Sequence, residues 1–76
     1  MANLLAQRIE SALRPVVGSV LASVSVDLES RRVGKTADTI TRDDLEAIAA
    51  SLGTQLRLVV GENLAKAAAQ RVRDLP

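Results

Sequence analysis

The chain contains no cysteine, no histidine and no aromatic residue, and it has only one methionine, two prolines and four glycines. Without cysteine there is neither a disulfide nor a thiolate metal site. Without aromatics the core loses its largest apolar side chains. It must be built from Leu, Ile, Val and Ala, in thin layers with close helix approach. The missing histidine and cysteine also remove the commonest general base and the strongest nucleophile. Neither sign of charge predominates, with ten basic against nine acidic residues. That balance argues against strong attraction to nucleic acid or an anionic membrane. No uninterrupted apolar run approaches the roughly 18 residues of a membrane span. The first eight residues show no signal-peptide pattern. The expectation is a cytoplasmic protein with no membrane association.

Seventy-six residues make one domain, expected to occupy 1–76. A chain this short buries only about 60–65% of its unfolded surface. With no disulfide or metal to help, self-association is the remaining common support for the core.

What the chain does contain is a repeat. Leu13-Arg14-Pro15-Val16-Val17-Gly18-Ser19-Val20-Leu21-Ala22-Ser23 recurs 43 residues later as Leu56-Arg57-Leu58-Val59-Val60-Gly61-Glu62-Asn63-Leu64-Ala65-Lys66, with 7 of 11 positions identical. Upstream, Leu5, Ala6 and Ile9 align with Ile48, Ala49 and Leu52; downstream, Val24 and Val26 fall opposite Ala67 and Ala69. Each copy is an apolar helical face, then Val-Val-Gly, then a second apolar face. Glycine reaches positive φ without a Cβ clash and commonly follows a helix end. Gly18 and Gly61 are therefore expected to stop helices, with Ser19 and Glu62 opening the next ones. Two copies are too few for a solenoid, so the unit reads as a helical hairpin present twice.

The first helix is expected over 3–14, with Asn3 as its N-cap and Leu5, Ile9, Ala12 and Leu13 on one face. Pro15 strains a helix interior, so it is placed either in a short turn-like segment ending at Gly18 or at a kink. Residues 20–29 are ambiguous. Ala22, Val24, Val26 and Leu28 alternate with polar residues as in a strand. A helix instead puts Val20, Leu21, Val24 and Leu28 on its apolar face and leaves Val26 partly outside. Helix is preferred, because the aligned copy is rich in helix formers and a lone strand has no partner. Residues 33–39 read as a loop, with Gly34 stopping the helix and Arg31, Arg32 and Lys35 suiting its negative end. Thr41 then caps the next helix, with Asp44 in the acidic position of a capping box and Ile40 and Leu45 as a hydrophobic staple. Leu45, Ile48, Ala49 and Leu52 follow helical spacing. Gly53 is expected to end or bend that helix, with 54–60 a short further helix capped by Thr54 or, less favoured, a strand. The last helix is expected from about Glu62 to Asp74, with Leu64, Ala68, Val72 and Leu75 on one face.

Chemistry-bearing motifs are few. Gly34-Lys35-Thr36 contains the end of a phosphate-binding loop, but the glycine required five residues earlier is Glu29. Asp27, Glu29, Asp43, Asp44, Glu46 and Glu62 read as solvated or helix-capping acids. Asp43, Asp44 and Glu46 do not form an EF-hand loop. The Asp-Ser-Leu attachment site of an acyl carrier protein is absent. The sequence thus points to no enzyme activity, no cofactor and no metal.

The basic helix end, the short loop and Thr39-Ile40-Thr41-Arg42-Asp43-Asp44-Leu45 before an amphipathic helix resemble the second half of a histone fold, over roughly 20–50. That resemblance implies nucleic-acid contact through Arg31, Arg32, Lys35 and Arg42. Over nearly the whole chain, the two Val-Val-Gly units and the Thr-Ile-Thr-Arg-Asp-Asp-Leu helix start resemble small helical modules of bacterial signalling proteins, which implies interaction or dimerisation. The expectation is an all-α, compact four-helix bundle of two pseudo-repeated hairpins, with an α+β fold using 20–29 as a strand as the alternative. Its expected role is protein–protein interaction or oligomerisation in a regulatory or signalling setting. The expected partner is a second copy of the chain, with another protein as a further possibility. The candidate contacts are Val16, Val17, Val59, Val60, Leu21 and Leu64, and the histone-like nucleic-acid binder is the alternative. Leu13 and Leu56 join those six as structural residues.

Overall fold

The structure, a computed structural model, describes residues 3–75. It is all-α: α1 (Leu4–Arg32), a single 3₁₀ turn (Arg42–Asp44), α2 (Leu45–Val60) and α3 (Glu62–Arg73). Among the described residues there is no strand, and 20–29 are helical. The expected four helices are three, because the first two form one element interrupted only at Gly18. Pro15 does not end the first helix. Both Pro15 and Ser11, whose carbonyl loses its usual helical donor, are exposed, so water can satisfy that carbonyl.

The break at Gly18 has a twin. Gly18 takes φ 84° and ψ 166°, and Gly61, between α2 and α3, takes φ 87° and ψ 170°. This corner of backbone space is open almost only to glycine. The two repeat copies therefore turn through the same conformation. In the second, the Gly61 N–H returns to the Arg57 carbonyl at 3.2 Å, and the Gly61 carbonyl starts the next helix through Ala65 N–H at 3.1 Å.

Burial repeats with the backbone. Ala6, Ile9, Leu13, Ala22, Val26 and Glu29 are buried in the first copy; Ala49, Leu52, Leu56, Ala65, Ala69 and Val72 are buried at the matching places in the second. These residues, with Ile40, Leu45, Ile48 and Ala68, form one core. The Cα radius of gyration is 10.8 Å, against about 11 Å for a compact chain of this length. One chain thus closes its own core, although its side chains are small.

One helix boundary and one helix face differ from the sequence expectation. α2 continues through Gly53, and Thr54 caps nothing: its hydroxyl donates back to the Ala50 carbonyl at 3.2 Å. A mid-helix glycine costs only about 1 kcal/mol relative to alanine, and the packing of α2 on α3 outweighs it. α3 is also rotated from the expected face. It buries Ala65, Ala68, Ala69 and Val72 and leaves Leu64 half exposed. Small residues face α2 because the two helices lie close; a Cβ on Gly53 would meet the Ala69 Cβ at 3.5 Å.

The helix starts are well capped. The Asn3 side chain accepts from Ala6 N–H at 2.8 Å, while its amide donates to the carbonyls of Ile40 at 2.8 Å and Asp38 at 3.3 Å. It thereby ties the chain's beginning to the loop before α2. That loop starts at Gly34, with φ 78°. The capping box at Thr41 forms, with Asp44 as its stronger half: the carboxylate accepts from Thr41 N–H at 2.8 Å and from the Thr41 hydroxyl at 3.3 Å. Lys35 Nζ adds a bond to the same carboxylate at 2.8 Å. Ile40 and Leu45, the staple pair, are both buried.

α1 is 29 residues long and includes an 18-residue window with mean hydropathy 1.3, enough by length and composition to cross a membrane. Every such window contains Gly18, however, where the backbone leaves the helix.

Candidate interaction surface

Beyond Gly18, α1 faces the core with its smaller side chains. Ala22, Val26, Glu29 and Ser30 are buried, whereas Val20, Leu21, Val24 and Leu28 are exposed by 77%, 42%, 46% and 48%. This reverses the expected orientation, in which Val20, Leu21, Val24 and Leu28 faced inward. The reason lies in the repeat. Ala22 and Val26 match Ala65 and Ala69 of α3, and all four are buried; in the second copy the close approach of α2 and α3 favours small residues at these places.

Val20, Val24 and Leu28 are four residues apart and form one row along the helix, with Leu21 beside it. The same row in the second copy is Asn63, Ala67 and Arg71, all exposed. The repeat thus supplies its own comparison. This place in the fold accepts Asn, Ala and Arg, so solvent-facing Val, Val and Leu are not required for folding. Isolated exposed apolar residues are ordinary on a folded chain; these three are contiguous along one helix face.

The expected contact residues divide among different environments. Val16, Val17 and Val60 are half-buried against the core. Val59 and Leu64 are exposed near the Gly61 turn, together with Leu58, and Leu21 lies on the α1 row. Leu13 and Leu56 are buried core residues. Val20, Val24 and Leu28, expected to face the core, form an exposed row instead. The signal that identifies them is a difference between aligned copies rather than a similarity.

The basic residues expected at the loop are mostly engaged within the chain. Arg32 Nε lies 3.4 Å from Glu29 Oε1, Lys35 pairs with Asp44, and Arg42 Nη1 donates to the Leu75 carbonyl at 3.1 Å. Arg31 is exposed. Asp44 is held below the usual carboxylate range, first by the hydrogen bond from Lys35 and then by the one from Thr41 N–H. Glu29 is buried, and its Oε2 has no hydrogen-bond partner. Among the described residues, no three potential metal ligands come together.

No protein-family model matches the chain, and neither a curated protein nor a solved structure matches it.

Proposed function

We propose that this protein is a small oligomerisation module that pairs with a second copy of itself through the outer row of α1. The observation that carries this reading is the solvent-facing row Val20, Val24 and Leu28, set against Asn63, Ala67 and Arg71 at the same places in the other copy. The row is self-complementary. Val20 and Leu28 lie four residues either side of Val24. An antiparallel two-fold contact centred on Val24 brings each Val20 against the other chain's Leu28 and Val24 against its twin. Two-fold pairing of this kind is the commonest homo-oligomer symmetry.

A cytoplasmic location fits the same reading. In hydrocarbon, the unmade helical bonds around Gly18 would be costly, whereas a row of exposed Val and Leu on a folded domain suits a protein partner. A regulatory or signalling role is the setting in which small dimerising modules of this kind are useful.

The test is to give the first copy the second copy's surface, as Val20→Asn, Val24→Ala and Leu28→Arg together. Sedimentation should show a dimer for the wild type at tens of micromolar, and a monomer with an unchanged helical signal for the triple variant. A wild-type monomer at every concentration, or a dimer that survives the triple change, would overturn the reading. A salt-sensitive complex with duplex DNA would favour the histone-like alternative instead, because phosphate contacts release counterions.

A further inference from the structure

We infer that the groove between α2 and α3 is an oxyanion site, built for the phosphate of a small phosphorylated molecule. The inference is independent of the dimer. The groove has a volume of about 410 Å³, within the size range of small-ligand sites. Arg57, Lys66, Gln70 and Arg73 line it above Gly53 and Ala69.

The comparison between copies again identifies what is unusual. In the first copy, the places of Arg57, Lys66, Gln70 and Arg73 are taken by Arg14, Ser23, Asp27 and Ser30, and the place of Gly53 by Glu10. Glu10 neutralises Arg14 one helical turn away, with Oε2 2.6 Å from Nη2. The second copy keeps the arginine and deletes the carboxylate. Among the described residues, no acid pairs with Arg57. A cation in the last turn of α2 is favoured by the helix dipole, which accounts for an arginine at both places. It does not account for Gly53, whose φ is not positive and which alanine could replace with only an ordinary contact to Ala69.

The other two cations keep donors available. Arg73 meets Glu46 through Nε alone, at 3.1 Å to each carboxylate oxygen, which leaves both terminal nitrogens for a ligand. Lys66 approaches Glu62 only to 3.8 Å, with both side chains largely exposed, so that pair is weak. Two guanidinium forks and an ammonium suit a dianion with several oxygens better than a single carboxylate. The floor of Gly and Ala carries no aromatic platform for a base, so the phosphate itself must provide most of the attraction.

The experiment restores the first copy's neutralising acid. Glycerol 3-phosphate is titrated into isotope-labelled protein at constant ionic strength, following backbone amide shifts. Saturable shifts are expected at 49–57 and 66–73. Gly53→Ala should bind as the wild type does. Gly53→Glu, placing a carboxylate one turn from Arg57, should weaken binding at least ten-fold while helical content is retained. Should Gly53→Glu fail to fold, Arg57→Gln gives the same readout and should weaken binding similarly. Non-saturating shifts spread over all cationic residues would overturn the site, as would wild-type affinity in a folded Gly53→Glu or Arg57→Gln variant.

Discussion

Residues 4–32 and 47–75 turn through the same glycine conformation and bury matching positions, yet they present different faces to solvent. The first copy exposes Val20, Val24 and Leu28, and it neutralises its helix-end arginine with Glu10. The second exposes Asn63, Ala67 and Arg71, and it leaves Arg57 beside a glycine. A shared backbone with divergent surfaces separates what the fold requires from what it merely permits. The requirements are glycine at 18 and 61 and small or branched apolar residues at the buried matches. The row on α1 and the groove beside α3 are permitted differences, and those two differences carry the functional reading.

The most damaging way to break the equivalence is at the turns. Gly18→Ala and Gly61→Ala each force a Cβ into backbone space that is nearly glycine-only, at a cost on the order of 1–3 kcal/mol. No atom within 4 Å crowds a Cβ at either place, so the cost is conformational and should be nearly equal for the two. Urea unfolding measures it. A large cost at Gly61 with none at Gly18 would show that α1 can straighten and that the two turns are not equivalent.

The repeat was legible in the sequence because its glycines and buried positions are fixed by geometry that both copies share. Asn3, Gly34 and the Thr41–Asp44 box were legible for a similar reason, since each satisfies a local backbone demand. The inward face of 19–32 was not. Summed hydrophobicity favours the Val20, Leu21, Val24 and Leu28 face, whereas the available space favours Ala22 and Val26, and close packing decides. Of the two arrangements open at Pro15, a turn-like segment or a kinked continuous helix, the helix continues and is interrupted only at Gly18; the helix does not end at Gly53, because one flexible residue costs less than tertiary contacts return. The groove was invisible for another reason. Arg57, Lys66 and Arg73 are spread along the sequence, and only the packing of α2 on α3 brings them together.

A second difference sharpens the comparison with a gain in stability. Glu29 is buried where the second copy has Val72. Its Oε1 has a single long contact to the half-exposed Arg32 and its Oε2 has none. Replacing such a weakly partnered buried carboxyl group by an apolar residue is often stabilising, and Glu29→Val should raise stability by about 1–2 kcal/mol. Glu29→Gln, which keeps a buried polar group, should gain much less. Thermal melts compare the three proteins. A loss of stability in Glu29→Val would mean that the carboxylate supports the structure in a way that Val72 does not.

The smallest effects lie at the two helix starts, which solve one problem with different chemistry. Asn3 both caps α1 and holds the loop carbonyls of Ile40 and Asp38, so Asn3→Ala should cost about 1 kcal/mol. Thr41 contributes one long hydroxyl bond, so Thr41→Ala should cost only about 0.5 kcal/mol. The start of α2 depends instead on the Asp44 carboxylate, which is ionised in the fold and held there by Lys35 and Thr41 N–H. Its folded pKa lies below the ordinary value of 3.8. The folded state therefore binds that proton less readily than the unfolded chain does. The resulting stabilisation is complete above the unfolded value and is lost as pH falls through the folded one. Asp44→Asn should be less stable than the wild type at neutral pH, and the gap should close as pH falls below about 4. Asn3→Ala should show no such convergence, because its cap is uncharged. Urea midpoints at neutral and acid pH decide the matter: a gap for Asp44→Asn that persists unchanged in acid would show that geometry at residue 44, rather than its charge, starts α2.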